Sequence, residues 1–141
     1  MSAAFSVFQA GKWADLGAYG FSPHPGRRIE GKLFVGRELG LNGAEVSLNR
    51  MPAGVGMPFF HRHRRNEELY VFVGGAGEFW IDDERVEVRE GTVVRVSPAA
   101  DRVWRAAGGE DLYFLCFQYP AIAEEVRETA DGELSRRPLP W

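Results

Sequence analysis

The sequence predicts a single all-β domain, folded as a barrel or sandwich. Short runs rich in Val, Phe, Tyr and Trp recur at regular spacing between Lys32 and Tyr119, which is the pattern of such folds. Glycine or proline punctuates most of the gaps, at Pro52, Gly54, Gly56, Gly74 to Gly77, Gly91, Pro98, Gly108 and Gly109. After Pro120 the character of the chain changes.

Residues 1–30 read as an arm. Phe5, Val7, Phe8, Trp13 and Leu16 can pack, but Gly11, Gly17, Gly20, Pro23, Pro25 and Gly26 interrupt any long element. Asp15 to Tyr19 are too few to assign. Residues 31–120 form the barrel. Lys32-Leu-Phe-Val-Gly36 is the first strand. Ala44 to Met51 alternates, with Val46 and Leu48 on one face and Glu45, Ser47 and Asn49 on the other. Leu69-Tyr-Val-Phe-Val73 is apolar on both faces, as in a strand covered on both sides. Glu78 to Asp82 and Arg85 to Arg89 are joined by a turn at Asp82-Asp-Glu84. Thr92 to Val96, Arg102 to Arg105 and Leu112 to Tyr119 complete the set. Residues 121–141 read as a short helix from Ala121 to Thr129, ended by Asp131-Gly132, and then a tail.

At 141 residues and 45% hydrophobic content, the chain can bury one core and leaves no room for a second domain. The net charge of −3 gives no basic face for nucleic acid. No apolar run reaches the roughly 18 residues of a membrane span. The N-terminus lacks the basic start and apolar core of a secretion signal. Cys116 is the sole cysteine, so no intramolecular disulfide forms and a cytoplasmic location is expected.

Chemistry enters at Gly56-Met-Pro-Phe-Phe-His-Arg-His-Arg-Arg-Asn-Glu-Glu68. If Phe59 to His63 is a strand, period 2 puts His61 and His63 on one side. A carboxylate five residues on can return to them when the chain enters the next strand. Two imidazoles and a carboxylate form the ligand set of non-heme iron and other divalent metals, with open positions left over. Glu67 and Glu68 compete for the third place, because both faces of the following strand are apolar. The plainer alternative is a pair of surface histidines in a basic run, with the carboxylate on Arg64 or Arg65. His24, in Pro-His-Pro-Gly, reads as a solvated loop residue.

This stretch resembles the first motif of the cupin superfamily: a glycine, His-x-His, a few residues, Glu, six residues and Gly. Gly75-Ala-Gly77 fits the Gly-x-Gly turn that follows in the family, and this register aligns Glu68 with the metal ligand. The leading glycine is one residue out of place. The resemblance runs over about residues 30–120 and implies a jelly-roll barrel. It implies a divalent metal (Fe, Mn, Ni or Zn) on His61, His63 and Glu68. The second motif departs: Ala100 replaces its second glycine, and Val103 stands where a fourth ligand would be. Three protein ligands then remain.

With Val103 inward, a regular strand turns Arg105 inward as well. Glu68 brings Tyr70 and Phe72, and His61 brings Phe59. Gln118 shares a strand face with Leu112, Phe114 and Cys116. Phe59, Tyr70, Val103, Arg105 and Gln118 are therefore the candidate lining residues. An apolar pocket with one arginine points to a small organic acid. Cys116 reads as a small core residue.

Three functions follow: a metal-dependent enzyme on a small polar or acidic molecule, a binding module without turnover, or a metal-free isomerase or epimerase with a histidine base and Tyr70 as acid. Enzyme and binding protein are not separated at this level. A homodimer is expected, because several strands are apolar on both faces and the aromatic arm can cover a partner sheet.

Overall fold

The computed structural model describes residues 4–121 and 134–141. The C-terminal helix expected from Ala121 lies, after its first residue, outside the described residues.

The expected all-β fold is present. Five strands pair in the order β3-β4-β10-β5-β8: β3 (Lys32–Phe34), β4 (Glu45–Met51), β5 (Asn66–Gly74), β8 (Val93–Val96) and β10 (Leu112–Pro120). Three pair in the order β7-β6-β9: β6 (Ala76–Ile81), β7 (Glu84–Arg89) and β9 (Arg102–Ala106). All pairings are antiparallel. The two sheets face one another across an aromatic core. Phe79 of β6 stacks on Trp104 of β9 at 5.7 Å, and Tyr70 of β5 meets Phe79 edge-on at 4.8 Å. Phe114 of β10 packs against Phe72 at 5.3 Å and Trp104 at 5.4 Å. Aromatic rings bury large areas each and tolerate such tilted contacts well.

The arm is more regular than its glycines and prolines indicate. Trp13–Ala18 is a 3-10 helix, with Leu16 buried. β1 (Gly20–His24) and β2 (Arg27–Glu30) form a hairpin, so the backbone of His24 ends a strand rather than lying in a loop. The hairpin folds back on its own chain, where Phe21 meets Phe34 edge-on at 5.1 Å. The first expected strand is shorter than predicted. Val35 and Gly36 begin a helix, α1 (Val35–Leu39), closed by Gly40 at φ 69°. Glycine adopts that left-handed conformation without a Cβ clash.

The β5–β6 corner shows why Gly75 and Gly77 are needed. A Cβ on Gly75 would collide with the Asp111 carbonyl, and one on Gly77 with the Arg105 carbonyl. Strand β10 therefore passes close to the turn. The turn between β6 and β7 is Asp82-Asp83, one residue shorter than predicted because Glu84 already pairs with Ile81, and Asp82 sits at φ 50°. Its carboxylate accepts the amide N–H of Asp101 at 2.9 Å. Aspartate is one of the few residues that visits this region readily.

Strand β4 inverts the usual rule. Ser47 and Asn49 are buried, while Val46 and Leu48 are half-exposed. The polar face points inward because one end of the interior is a cavity rather than packed core.

Candidate metal centre

Phe59 to His63 is not a strand. Only His61 pairs, as an isolated bridge to Arg102. The segment nevertheless runs beside β9, held by backbone bonds. His61 N–H donates to the Arg102 carbonyl at 3.1 Å, and Arg102 N–H returns to His61 at 2.9 Å. The N–H of His63 donates to the Pro98 carbonyl at 2.8 Å. These bonds keep the chain extended, so both imidazoles still point the same way.

They point at Glu68. His63 Nε2 lies 3.0 Å and His61 Nε2 3.5 Å from Glu68 Oε1. One ligating atom from each of the three residues falls within 4.8 Å of the others. Glu68 is buried on β5, and the histidines are half-buried. Glu67, its competitor, faces outward, where it accepts bonds from Arg95 at 2.7 Å and the Tyr119 hydroxyl at 2.9 Å. Period 2 separates the two once β5 is placed between β8 and β10.

Glu68 is densely contacted. The Tyr70 hydroxyl donates to its Oε1 at 2.9 Å and the Cys116 thiol to its Oε2 at 3.0 Å. Burial pushes its carboxyl up, but His61, His63 and Cys116 outweigh that and hold it well below the usual carboxylate range. Burial pushes the Cys116 thiol up, with the nearby Glu68 charge adding to it. The Tyr70 hydroxyl is raised well above its ordinary value by burial, with the charges near Cys116 and Glu68 adding to it.

The three residues fit a metal ion. His63 Nε2 and His61 Nδ1 are buried without a hydrogen-bond partner. The 3.0 Å approach of His63 to Glu68 thus lacks hydrogen-bond geometry. Buried polar atoms left so are uncommon; His63 Nε2 faces Glu68 and is placed to hold a cation, and the His61 atom on that side is Nε2 rather than the orphaned Nδ1.

The second-motif expectation is corrected by one residue. The burial of β9 alternates with Arg102, Trp104 and Ala106 inward. Val103 and Arg105 lie on the outer face, opposite Trp80 and Glu78. Arg105 is exposed and ion-paired with Glu78, so it does not charge the cavity. Trp104 explains the register: its indole reaches the core and packs edge-on against the His61 imidazole at 5.8 Å, a burial that outweighs what Val103 would gain.

Arg102 was not anticipated. It is fully buried, with Nε 3.4 Å from Glu68 Oε1. Its guanidinium donates to the carbonyls of Ala100 at 2.9 Å and Ser97 at 3.0 Å, and more weakly to Pro98 and His61 at 3.4 Å. It therefore ties the loop before β9 to the centre. The larger apolar residue of Arg-Val-Trp-Arg, Trp104, is the sequence signal that places Arg102 inward.

A cavity of about 270 Å³ opens above the centre. Phe59, Tyr70 and Gln118 line it, as do His61, His63 and Glu68. Gln118 accepts a bond from Asn66 Nδ2 at 2.7 Å. The hairpin contributes Phe21, Pro23 and Ile29, so the arm roofs its own cavity. Lys32 also lines it; a lysine opening a strand carries no sequence signal for facing inward.

The chain belongs to the cupin family: the cupin domain matches residues 48–118. A crystal structure of a cupin protein from Bacteroides fragilis is similar over 74% of this chain and 88% of that one, with 38% identity and a TM-score of 0.70. A Thermotoga maritima protein described as a predicted oxalate decarboxylase shares the fold, with a TM-score of 0.61 and 18% identity, over 80% of this chain and all 100% of that one. An uncharacterized protein of Methanocaldococcus jannaschii is 31% identical over 68 residues, 48% of this chain. The chain spans about half (54%) of that relative's length.

Proposed function

We propose that this cupin binds one divalent metal ion through His61, His63 and Glu68 and holds a small polar or acidic molecule beside it. The convergence of three ligating atoms at the floor of a cavity is the observation that carries this reading. Three protein ligands leave positions open for a second molecule. A metal there supplies Lewis-acid polarisation of a bound oxygen. The chain's own residues do the rest. Tyr70 and Cys116 fix the Glu68 carboxylate from two sides, and Trp104 and Phe59 keep apolar surface around the centre. A metal-free isomerase is less well supported, since the Tyr70 proton is committed to Glu68 and is held there by burial.

The test is metal analysis after loading with Zn, Mn, Fe or Ni and dialysis. Wild type should retain about one ion per chain. The His61→Ala/His63→Ala double variant should lose it while keeping its far-UV spectrum and melting transition. Stoichiometric metal in the double variant sinks the reading.

The reading includes a cytoplasmic homodimer. Cys116, buried and free, supports the compartment. Among the described residues no helix is long and apolar enough to cross a membrane. The outer face of the five-stranded sheet supports the dimer. Val46 and Leu48 of β4, Leu115 and Phe117 of β10, and Leu69 and Val71 of β5 lie side by side there, none of them fully buried. Val73 and Val93 extend that apolar surface into the exposed range. A monomer by light scattering at micromolar concentration refutes this part.

A further inference from the structure

Every charged residue lining the cavity has a counter-charge except one. Glu30 is paired with Arg28, Arg50 with Asp111, Arg62 with Asp101, and Glu68 with Arg102. Lys32 has no carboxylate partner among the described residues. Its ammonium donates to Ser47 Oγ at 3.0 Å and Asn49 Oδ1 at 3.2 Å, both neutral. Asn49 is itself fixed, donating to Ser47 Oγ at 3.0 Å, so the pair forms a rigid seat. The ammonium also lies 5.2 Å from the Phe34 ring and 5.9 Å from the Phe21 ring, within reach of cation–π attraction. A lysine ammonium has three donors, and two are used. One donor and one whole charge remain for a ligand.

Beside the polar groups, much of the wall is apolar, and the rings of Phe21, Phe34, Phe59 and Trp104 give it flat faces. The volume of about 270 Å³ is just under the ~300 Å³ at which drug-sized pockets begin. We propose that Lys32 is the anion anchor of this cavity and that its ligand is a small monocarboxylate with a planar apolar body. The carboxylate sits on Lys32, and the body lies among the aromatic side chains. This rests on the reading of the cavity as the ligand site, and it does not require the metal to load.

Full-length, chelator-treated protein is titrated calorimetrically with benzoate, benzamide and acetate. Benzoate has both the charge and the body, benzamide the body alone, and acetate the charge alone. Benzoate should bind wild type at least tenfold more tightly than either of the others. Lys32→Gln, which keeps donors for Ser47 and Asn49, should weaken benzoate at least tenfold. Asn49→Asp is the second variant: it leaves Lys32 in place but gives it a carboxylate, and should weaken benzoate by a similar factor. Zinc stoichiometry, measured in parallel, should be unchanged in Lys32→Gln. The proposal is overturned if benzoate fails to bind wild type at millimolar concentration, if benzamide binds equally well, or if either folded variant binds benzoate like wild type. Should Lys32→Gln not fold, Asn49→Asp and the benzamide comparison decide. Lys32-dependent benzoate binding without zinc binding would remove the metal from the proposed function and leave this inference standing; zinc binding without benzoate binding would do the reverse.

Discussion

Replacing Arg102 by alanine should be the most damaging single change near the centre. The side chain is fully buried and bonds four backbone carbonyls, two of them at 3.0 Å or less. Its Nε also stands 3.4 Å from the buried Glu68 carboxylate. Removing one partner of a buried charge pair costs about 3–5 kcal/mol, because the other charge stays buried. Glu68 keeps the Tyr70 hydroxyl, the Cys116 thiol and two imidazoles. The loss should therefore fall near the lower end, ~3 kcal/mol. For a chain of this length that is a drop in Tm of about 10 °C. Urea denaturation followed by tryptophan fluorescence measures it directly. A second consequence concerns the metal. Arg102 places a fixed positive charge beside a ligand, and like charges repel. Zinc should thus stabilise Arg102→Ala by at least ~1.4 kcal/mol more than wild type, equivalent to a tenfold gain in affinity. A loss under about 1 kcal/mol, together with an equal zinc shift in both proteins, would refute the reasoning. It would mean that Glu68 is held by its other partners and that Arg102 is spectator packing.

Two further outcomes follow from the geometry. Val103→His should leave metal affinity unchanged, because residue 103 faces outward opposite Trp80; tighter binding by calorimetry would show that β9 can shift its register. Asp111→Ala should destabilise the protein by about 1 kcal/mol at neutral pH, a figure discounted for partial exposure. The Asp111 carboxylate accepts the Ala53 N–H at 2.9 Å and pairs with Arg50 at 2.8 Å. The Ala53 bond first, and then Arg50, hold its carboxyl below the ordinary value. A lowered folded pKa gives stability that is present above the unfolded pKa of about 3.9 and lost as pH falls through the folded one. The gap between wild type and variant should therefore close in acid, and urea midpoints at pH 7 and about pH 2.5 measure it.

The sequence by itself determined the all-β class, most of the strands and the family, because strand alternation and turn glycines are local properties. The Gly75-Ala-Gly77 turn was legible for the same reason, and the structure supplies its cause in the close approach of the Asp111 carbonyl, just ahead of β10, to Gly75 and of the Arg105 carbonyl of β9 to Gly77. His61, His63 and Glu68 were legible as a set through motif spacing, although the strand invoked to align the histidines does not exist. Backbone bonds to Arg102 and Pro98 do that work instead, and such bonds join residues about 35–41 positions apart in the chain. Only the tertiary structure decided which face of each strand looks inward. Period 2 gives two faces without naming the buried one, and in β9 the burial of Trp104 settles the matter against Val103 and Arg105. In β4 the same ambiguity resolves toward the polar face, since Ser47 and Asn49 meet Lys32 across a strand pairing that no local pattern encodes. The unpaired charge of the cavity, carried by Lys32 rather than Arg105, is a property of that long-range pairing. A one-residue change in register reverses every side chain of a strand, so a short alternating run cannot fix it alone.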